Sequence, residues 1–141
     1  MSALFRRARR GANAVELALT MPVFVAVLGG VFDYTWYLYR QSALDSSTHV
    51  GCRVGSTIDP GEADAQLGVV ETEATDAVLE AMTTAGISCD GDCVVQIETF
   101  GVTPGRSLRC ITQQDFTPLV GIALGARQIT ARSAVRFEFQ R

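Results

Sequence analysis

Residues 14–32 read AVELALTMPVFVAVLGGVF, a run of nineteen with one ionisable group, Glu16, near its start. A helix rises about 1.5 Å per residue, so the run reaches roughly 28 Å, close to the ~30 Å hydrocarbon core of a bilayer. That length predicts a single membrane crossing. Ahead of it stand Arg6, Arg7, Arg9 and Arg10, with no acid among residues 1–11, and after it come Tyr34, Trp36, Tyr37 and Tyr39. Arginines flanking a span stay cytoplasmic and aromatic rings gather at the interface, so the expected topology is N-in, C-out, with an aromatic belt where the helix leaves the lipid. A cleaved secretory signal is the competing reading, but it needs small residues in an A-x-A-like arrangement, and Gly30 to Trp36 offers none.

Outside this run the chain is acidic. Its 141 residues are 48% apolar, with 12 basic residues, all Arg, against 15 acids and a net charge of −3. This suits one small domain and an anchor, excludes a large multidomain enzyme, and disfavours a basic nucleic-acid binder, so no nucleic acid is expected as a partner. Residues 1–11 carry +4 and residues 12–141 carry −7, and from Asp45 to Glu98 eleven acids face one cation, Arg53. That middle segment should be a solvated, self-repelling surface away from anionic headgroups.

Glu16 needs a reason, because an acid inside a membrane span costs about 2.5 to 3.5 kcal/mol at the centre and less near an end. The string RRARRGANAVELALTMPVFVAVLGGVFDYTWYLYRQSALDSSTHVGCR, residues 6–53, resembles the N-terminus of TadE-like pseudopilins, proteins of the tight-adherence (Flp, type IVc) pilus machinery. In that family a basic leader ends in Gly, a prepilin peptidase cuts after it, and Glu is fifth in the mature chain. Counting from Gly11, Ala12 is first and Glu16 is fifth. The resemblance extends through Pro22 and Gly51-Cys52-Arg53, where the family commonly has a small residue in place of Cys52. It is weak over residues 54–107 and resumes loosely at Phe116-Thr117-Pro118-Leu119 and in the closing ITARSAVRFE. It implies cleavage between Gly11 and Ala12, and pairing of Glu16 with the new α-amine of a neighbouring subunit. The implied partners are the peptidase, other pilin or pseudopilin subunits meeting through the N-terminal helix in a homo- or hetero-oligomer, and the Tad inner-membrane platform.

Nothing breaks a helix strongly from Asp33 to about Val54, so the membrane helix should continue as one rod. Tyr37, Leu44 and Gly51 recur at heptad spacing, with Tyr34, Gln41 and Thr48 on a flanking row. Gly29-Gly30 reads as an ordinary membrane-helix pair, a bend point, or a close-approach surface between packed helices. Asp59-Pro60-Gly61-Glu62 has the form of a capped helix start, and Leu67, Val70, Ala74, Ala77 and Ala81 should face inward with Glu73, Asp76 and Glu80 outward, up to a stop near Gly86. Beyond Cys93 the pattern becomes extended: Val94–Phe100 and Leu108–Phe116 about a Thr103-Pro104-Gly105 turn, then Ile129, Ala131, Ser133, Val135, Phe137 and Phe139 at period two. Thr117–Leu124 should be a short helical or irregular connection. The fold class expected is α+β and pilin-like, a long N-terminal transmembrane and amphipathic helix packed on a small antiparallel sheet, with a second helix. Its parts are a leader (1–11), a span (12–32), a periplasmic extension (33–56) and a globular head (57–141).

Cys52, Cys89, Cys93 and Cys110 all lie on the side expected outside the cytoplasm, where thiols oxidise. Four cysteines allow three pairings. Cys89 with Cys93 across the Cys-Asp-Gly-Asp-Cys turn, and Cys52 with Cys110 pinning helix to strand, is the favoured set. A four-cysteine zinc site lacks paired C-x₂-C knuckles, and Asp90-Gly91-Asp92 is too short a motif for calcium. His49 stands alone on the helix extension, and no nucleophile elbow, metalloprotease helix or phosphate loop is present. No cofactor and no enzyme activity is expected. Two other readings remain, a membrane-tethered binding module that never polymerises and a thiol-disulfide enzyme using Cys89 and Cys93, whose C-x₃-C spacing departs from C-x-x-C.

Overall fold

The apolar run and the amphipathic stretch after it form one helix, α1 (Ser2–Ser56). The structure, a computed structural model, describes residues 2–59, 66–89, 91–101 and 106–138, with side chains inside α1 from Ala14 onward. Pro22 lies within α1, as apolar membrane helices tolerate when neighbouring groups adjust. Among the described residues four elements follow: α2 (Leu67–Thr84), β1 (Cys93–Phe100), β2 (Ser107–Phe116) and β3 (Arg127–Arg136). The strands make one antiparallel sheet in the order β1-β2-β3. The architecture is therefore α+β.

The chain divides into two units, Met1–Trp36 with Pro118–Gly125, and Tyr37–Thr117 with Ala126–Arg141. In the second unit, α1 from Tyr37 onward buries Leu44, Ser47, Thr48, Gly51, Cys52, Gly55 and Ser56, an approximate heptad stripe whose small residues admit close neighbours. A Cβ on Gly51 would lie 2.7 Å from the Ala74 carbonyl oxygen and 3.0 Å from the Val78 nitrogen, and one on Gly55 would lie 2.7 Å from Leu108 Cδ2. The Thr48 hydroxyl stands 2.7 Å from the Leu44 carbonyl and 2.8 Å from the Thr112 hydroxyl. Thr112, in the middle of β2, faces Val95 on one side and Ala131 on the other. Cys52, Val70, Leu108, Cys110 and Phe137 form the apolar centre, with Ile58, Ile97 and Val135 against it.

Several local expectations shift. The row buried by α2 is Val70, Ala74, Val78 and Met82, while Ala77 and Ala81 are only half-buried. The stripe is rotated because Gly51 and Gly55 admit the Ala74–Val78 side of α2. The helix begins at Leu67 with Gln66 in the cap position and no side-chain cap bond. The expected start at Pro60-Gly61-Glu62 lies outside the described residues, as do the Thr103-Pro104-Gly105 turn and Phe139. At the other end, Gly86 takes φ +73, and its N–H donates to Thr83 O at 2.9 Å while that of Ile87 donates to Met82 O at 2.9 Å. This is a Schellman stop, which a left-handed glycine makes inexpensive. β3 ends at Arg136, after which Phe137 is buried and its N–H donates to Arg106 O at 3.3 Å.

The aromatic row also divides. Tyr34 is exposed rather than part of the packed face. Tyr37 sits edge-on to Phe116 at 5.5 Å with the Arg127 guanidinium 5.4 Å from its ring, and the Tyr39 hydroxyl donates to Ala85 O. Those two rings serve head packing.

Candidate functional site

In the first unit, α1 carries the apolar run on its surface. Val15, Leu17, Leu19, Val23, Phe24, Val27, Val31 and Phe32 are all exposed, and the helix is long and apolar enough to cross a membrane by length and composition. Such a surface is costly in water and matched by lipid or by other apolar helices. Glu16 is exposed on it, reachable from outside the chain. Gly11 and Ala12 lie within the span of α1, and their surroundings fall outside what is described.

Where the apolar run ends, the same unit holds a second feature, built on Asp33. This residue is 0% exposed. Its carboxylate accepts the Val120 N–H at 2.8 Å on Oδ1, and the Gly121 and Ile122 N–H groups at 3.0 and 3.2 Å on Oδ2. Three consecutive amides turn towards one anion because Gly121 takes φ +75, a left-handed conformation that makes the backbone concave. The segment Pro118–Gly125 is thereby held on α1. It meets the helix at glycine: a Cβ on Gly29 would lie 2.9 Å from Ile122 Cδ1 and 3.2 Å from Val120 Cγ1, and one on Gly30 would lie 3.3 Å from Ala123 Cβ. Of the readings open for Gly29-Gly30, the structure shows a close approach, made by a loop of the same chain.

The Val120 N–H foremost, with those of Ala123, Ile122 and Gly121, holds the Asp33 carboxyl below its ordinary value, against the opposing pull of burial. A group whose folded pKa is lowered contributes stability that is complete above its unfolded pKa and disappears as pH falls through the folded value. The Val120, Gly121 and Ile122 amide resonances should therefore hold steady from neutrality down to the ordinary Asp value of 3.8 and shift only below it. Asp33→Asn should abolish that acid transition. Asp33→Ala should speed exchange of those amides at neutral pH by at least about tenfold, as expected of a segment released to local opening.

In the second unit, the cysteines stand as two bridges. Cys52 joins Cys110 with Cα atoms 5.6 Å apart, and Cys89 joins Cys93 with Cα atoms 5.3 Å apart. The former ties α1 to the central strand. His49 Nδ1 lies 3.2 Å from the Ser133 hydroxyl, a contact between helix and sheet. Asp90 lies outside the described residues, Gly91 has φ +96, and among the described residues no group of three or more His, Cys, Asp or Glu is placed to hold a metal ion.

Asp33 does not stand out in the sequence. The available signal was an acid immediately after an apolar run, together with an eight-residue uncharged segment, Pro118–Gly125, bearing an internal glycine. Compared with known proteins, residues 11–53 match the family described as TadE-like protein. No curated protein and no solved structure matches the chain.

Proposed function

We propose that this chain, TadE-like over residues 11–53, is a minor pseudopilin of the Tad (Flp, type IVc) pilus system, built into the pilus or needed for its assembly, and serving adhesion, biofilm formation or DNA uptake. The observation that carries the reading is where the match falls. It opens on Gly11, takes in Glu16 and the apolar run, and closes at Arg53, just short of the end of α1 at Ser56. What matches is the segment a pilin would use to be processed, anchored and packed.

The chemistry follows from the residues. Peptide hydrolysis after Gly11 releases a basic leader and leaves a protonated α-amine on Ala12, four residues before Glu16. An unpaired carboxylate in an apolar setting is costly, and an ammonium from a neighbouring subunit at hydrogen-bond distance offsets much of that cost. Because Glu16 sits on the helix surface, the pair also sets the axial register between subunits. The peptidase, the other pilin subunits and the inner-membrane platform are the partners, and the head lies outside the cytoplasm.

Two measurements test this. The mass of the chain purified from its native membrane should correspond to a start at Ala12, and retention of Met1–Gly11 would favour a tethered module that never polymerises. Glu16→Ala should insert into the membrane as before while its recovery in sheared pilus or assembly-platform fractions falls at least about tenfold, the loss expected from removing one buried ionic partner. Undiminished recovery of Glu16→Ala would remove the pairing from the mechanism.

A further inference from the structure

We propose that Pro118–Gly125, the connection between β2 and β3, is a second membrane contact, inserted into the leaflet at the C-terminal end of the span with Leu119, Val120 and Ile122 against acyl chains. The inference rests on the reading that residues 14–32 cross a bilayer.

Its depth follows from the helix. The loop packs on Gly29 and Gly30, inside the apolar run. Gly29 stands three residues before Phe32, hence about 4.5 Å inward of the end of the run along the helix axis. A loop held at that level by direct contact shares the surroundings of the helix surface beside it, where Val25, Leu28 and Phe32 are exposed. Lipid covering those side chains reaches the loop as well.

Its side chains suit that place. From Phe116 to Ala126 there is no charged residue, and Thr117 carries the one hydroxyl. Leu119, Val120 and Ile122 are 65%, 50% and 52% exposed, three large apolar groups close together on a turn where water-facing loops place polar residues.

The backbone supplies the independent argument. Non-helical chain at membrane depth is tolerated only where its polar groups find partners within the protein. In water the amides of residues 120–122 would find partners in solvent even without Asp33. At the lipid edge the same arrangement is required: Asp33 accepts all three N–H groups, and those dipoles in turn compensate the carboxylate's own removal from water. Apolar side chains left half-exposed beside the helix, with three amides turned inward onto an acid, suit a short segment at the lipid edge.

The test uses the full chain in phosphatidylcholine vesicles, in a Trp36→Phe background, with single reporters Leu119→Trp and Phe24→Trp and both disulfides verified by mass. Bromine placed at shallow, middle or deep acyl carbons quenches a tryptophan at its own depth, and aqueous iodide quenches one in water. Phe24→Trp should respond to middle and deep bromines. Leu119→Trp should lose most of its emission to the shallow bromines and be shielded from iodide. If Phe24→Trp responds and Leu119→Trp is reached by iodide instead, the loop faces water and the proposal is overturned while the span stands. If Leu119→Trp is shielded from both quenchers, a second copy covers the loop, and the lipid contact is equally overturned. A Phe24→Trp reporter that no bromine reaches removes the span and the inference together.

Discussion

Replacing Cys52 and Cys110 together by alanine is expected to lower the stability of the second unit by about 4 kcal/mol, against about 2 kcal/mol for replacing Cys89 and Cys93. The difference lies in the length of chain each bridge closes. Cys52 and Cys110 are 58 residues apart in sequence and Cys89 and Cys93 only 4, and the entropy removed from the unfolded ensemble grows with the logarithm of that separation. Denaturant unfolding of the full chain in detergent, followed through the sheet signal, measures both. Equal losses from the two double variants would show that the bridges act through local geometry instead. The longer bridge also determines what its loss exposes. Cys52 and Cys110 sit at 0% exposure in the apolar centre with Val70, Leu108 and Phe137, so cutting it loosens α1, α2 and β2 from one another at a shared point.

Gly51→Ala should cost about 2 kcal/mol although it improves intrinsic helix propensity by up to about 1 kcal/mol. The new methyl would meet the Val78 side chain and, at 2.7 and 3.0 Å, the Ala74 oxygen and Val78 nitrogen. A side chain can rotate aside, but the backbone of α2 can respond only by moving off, which opens voids along the Val70, Ala74, Val78 and Met82 row. Gly68→Ala provides the control. It sits in α2 with nothing within 4 Å of an added Cβ, so it should be neutral or stabilising by up to about 1 kcal/mol. The same denaturation series reads both, and a Gly51→Ala chain at least as stable as its parent would contradict the close approach of α1 and α2.

The elements legible in the sequence were those whose pattern is local. Ala14 to Phe32 carries its reading in its apolarity, and the alternation from Ile129 to Val135 in its period of two. Gly86 marks the end of α2 through a preference that belongs to glycine itself. The rotation of the α2 stripe was not legible, because it is decided by absent side chains on another helix, at Gly51 and Gly55. Spacing alone sets Tyr34 on the packed face, whereas the buried position next to it belongs to Asp33. That acid is the clearest case. Its partners are the amides of residues 120–122, which lie 87 to 89 positions away and leave no side-chain signature, since backbone N–H groups are common to nearly every residue. Glu16, by contrast, was conspicuous because a carboxylate interrupts a run that is otherwise apolar. The family match over residues 11–53 lies where the pattern is most local, and the head beyond it is read from its strands and cysteines.

The pairing of the cysteines imposes an order in time. They leave the ribosome as Cys52, Cys89, Cys93 and Cys110, yet the bridges are nested, first with last and second with third. Oxidation in order of appearance would join Cys52 to Cys89 and strand Cys93 for Cys110. At about 5 to 20 residues per second, Cys110 follows Cys52 by roughly 3 to 12 seconds. Throughout that interval the earliest thiol must stay unpaired or be paired wrongly and later corrected. Closing the Cys89–Cys93 bridge first would remove both competitors from reach, so that the bridge that adds less stability would guard the one that adds more.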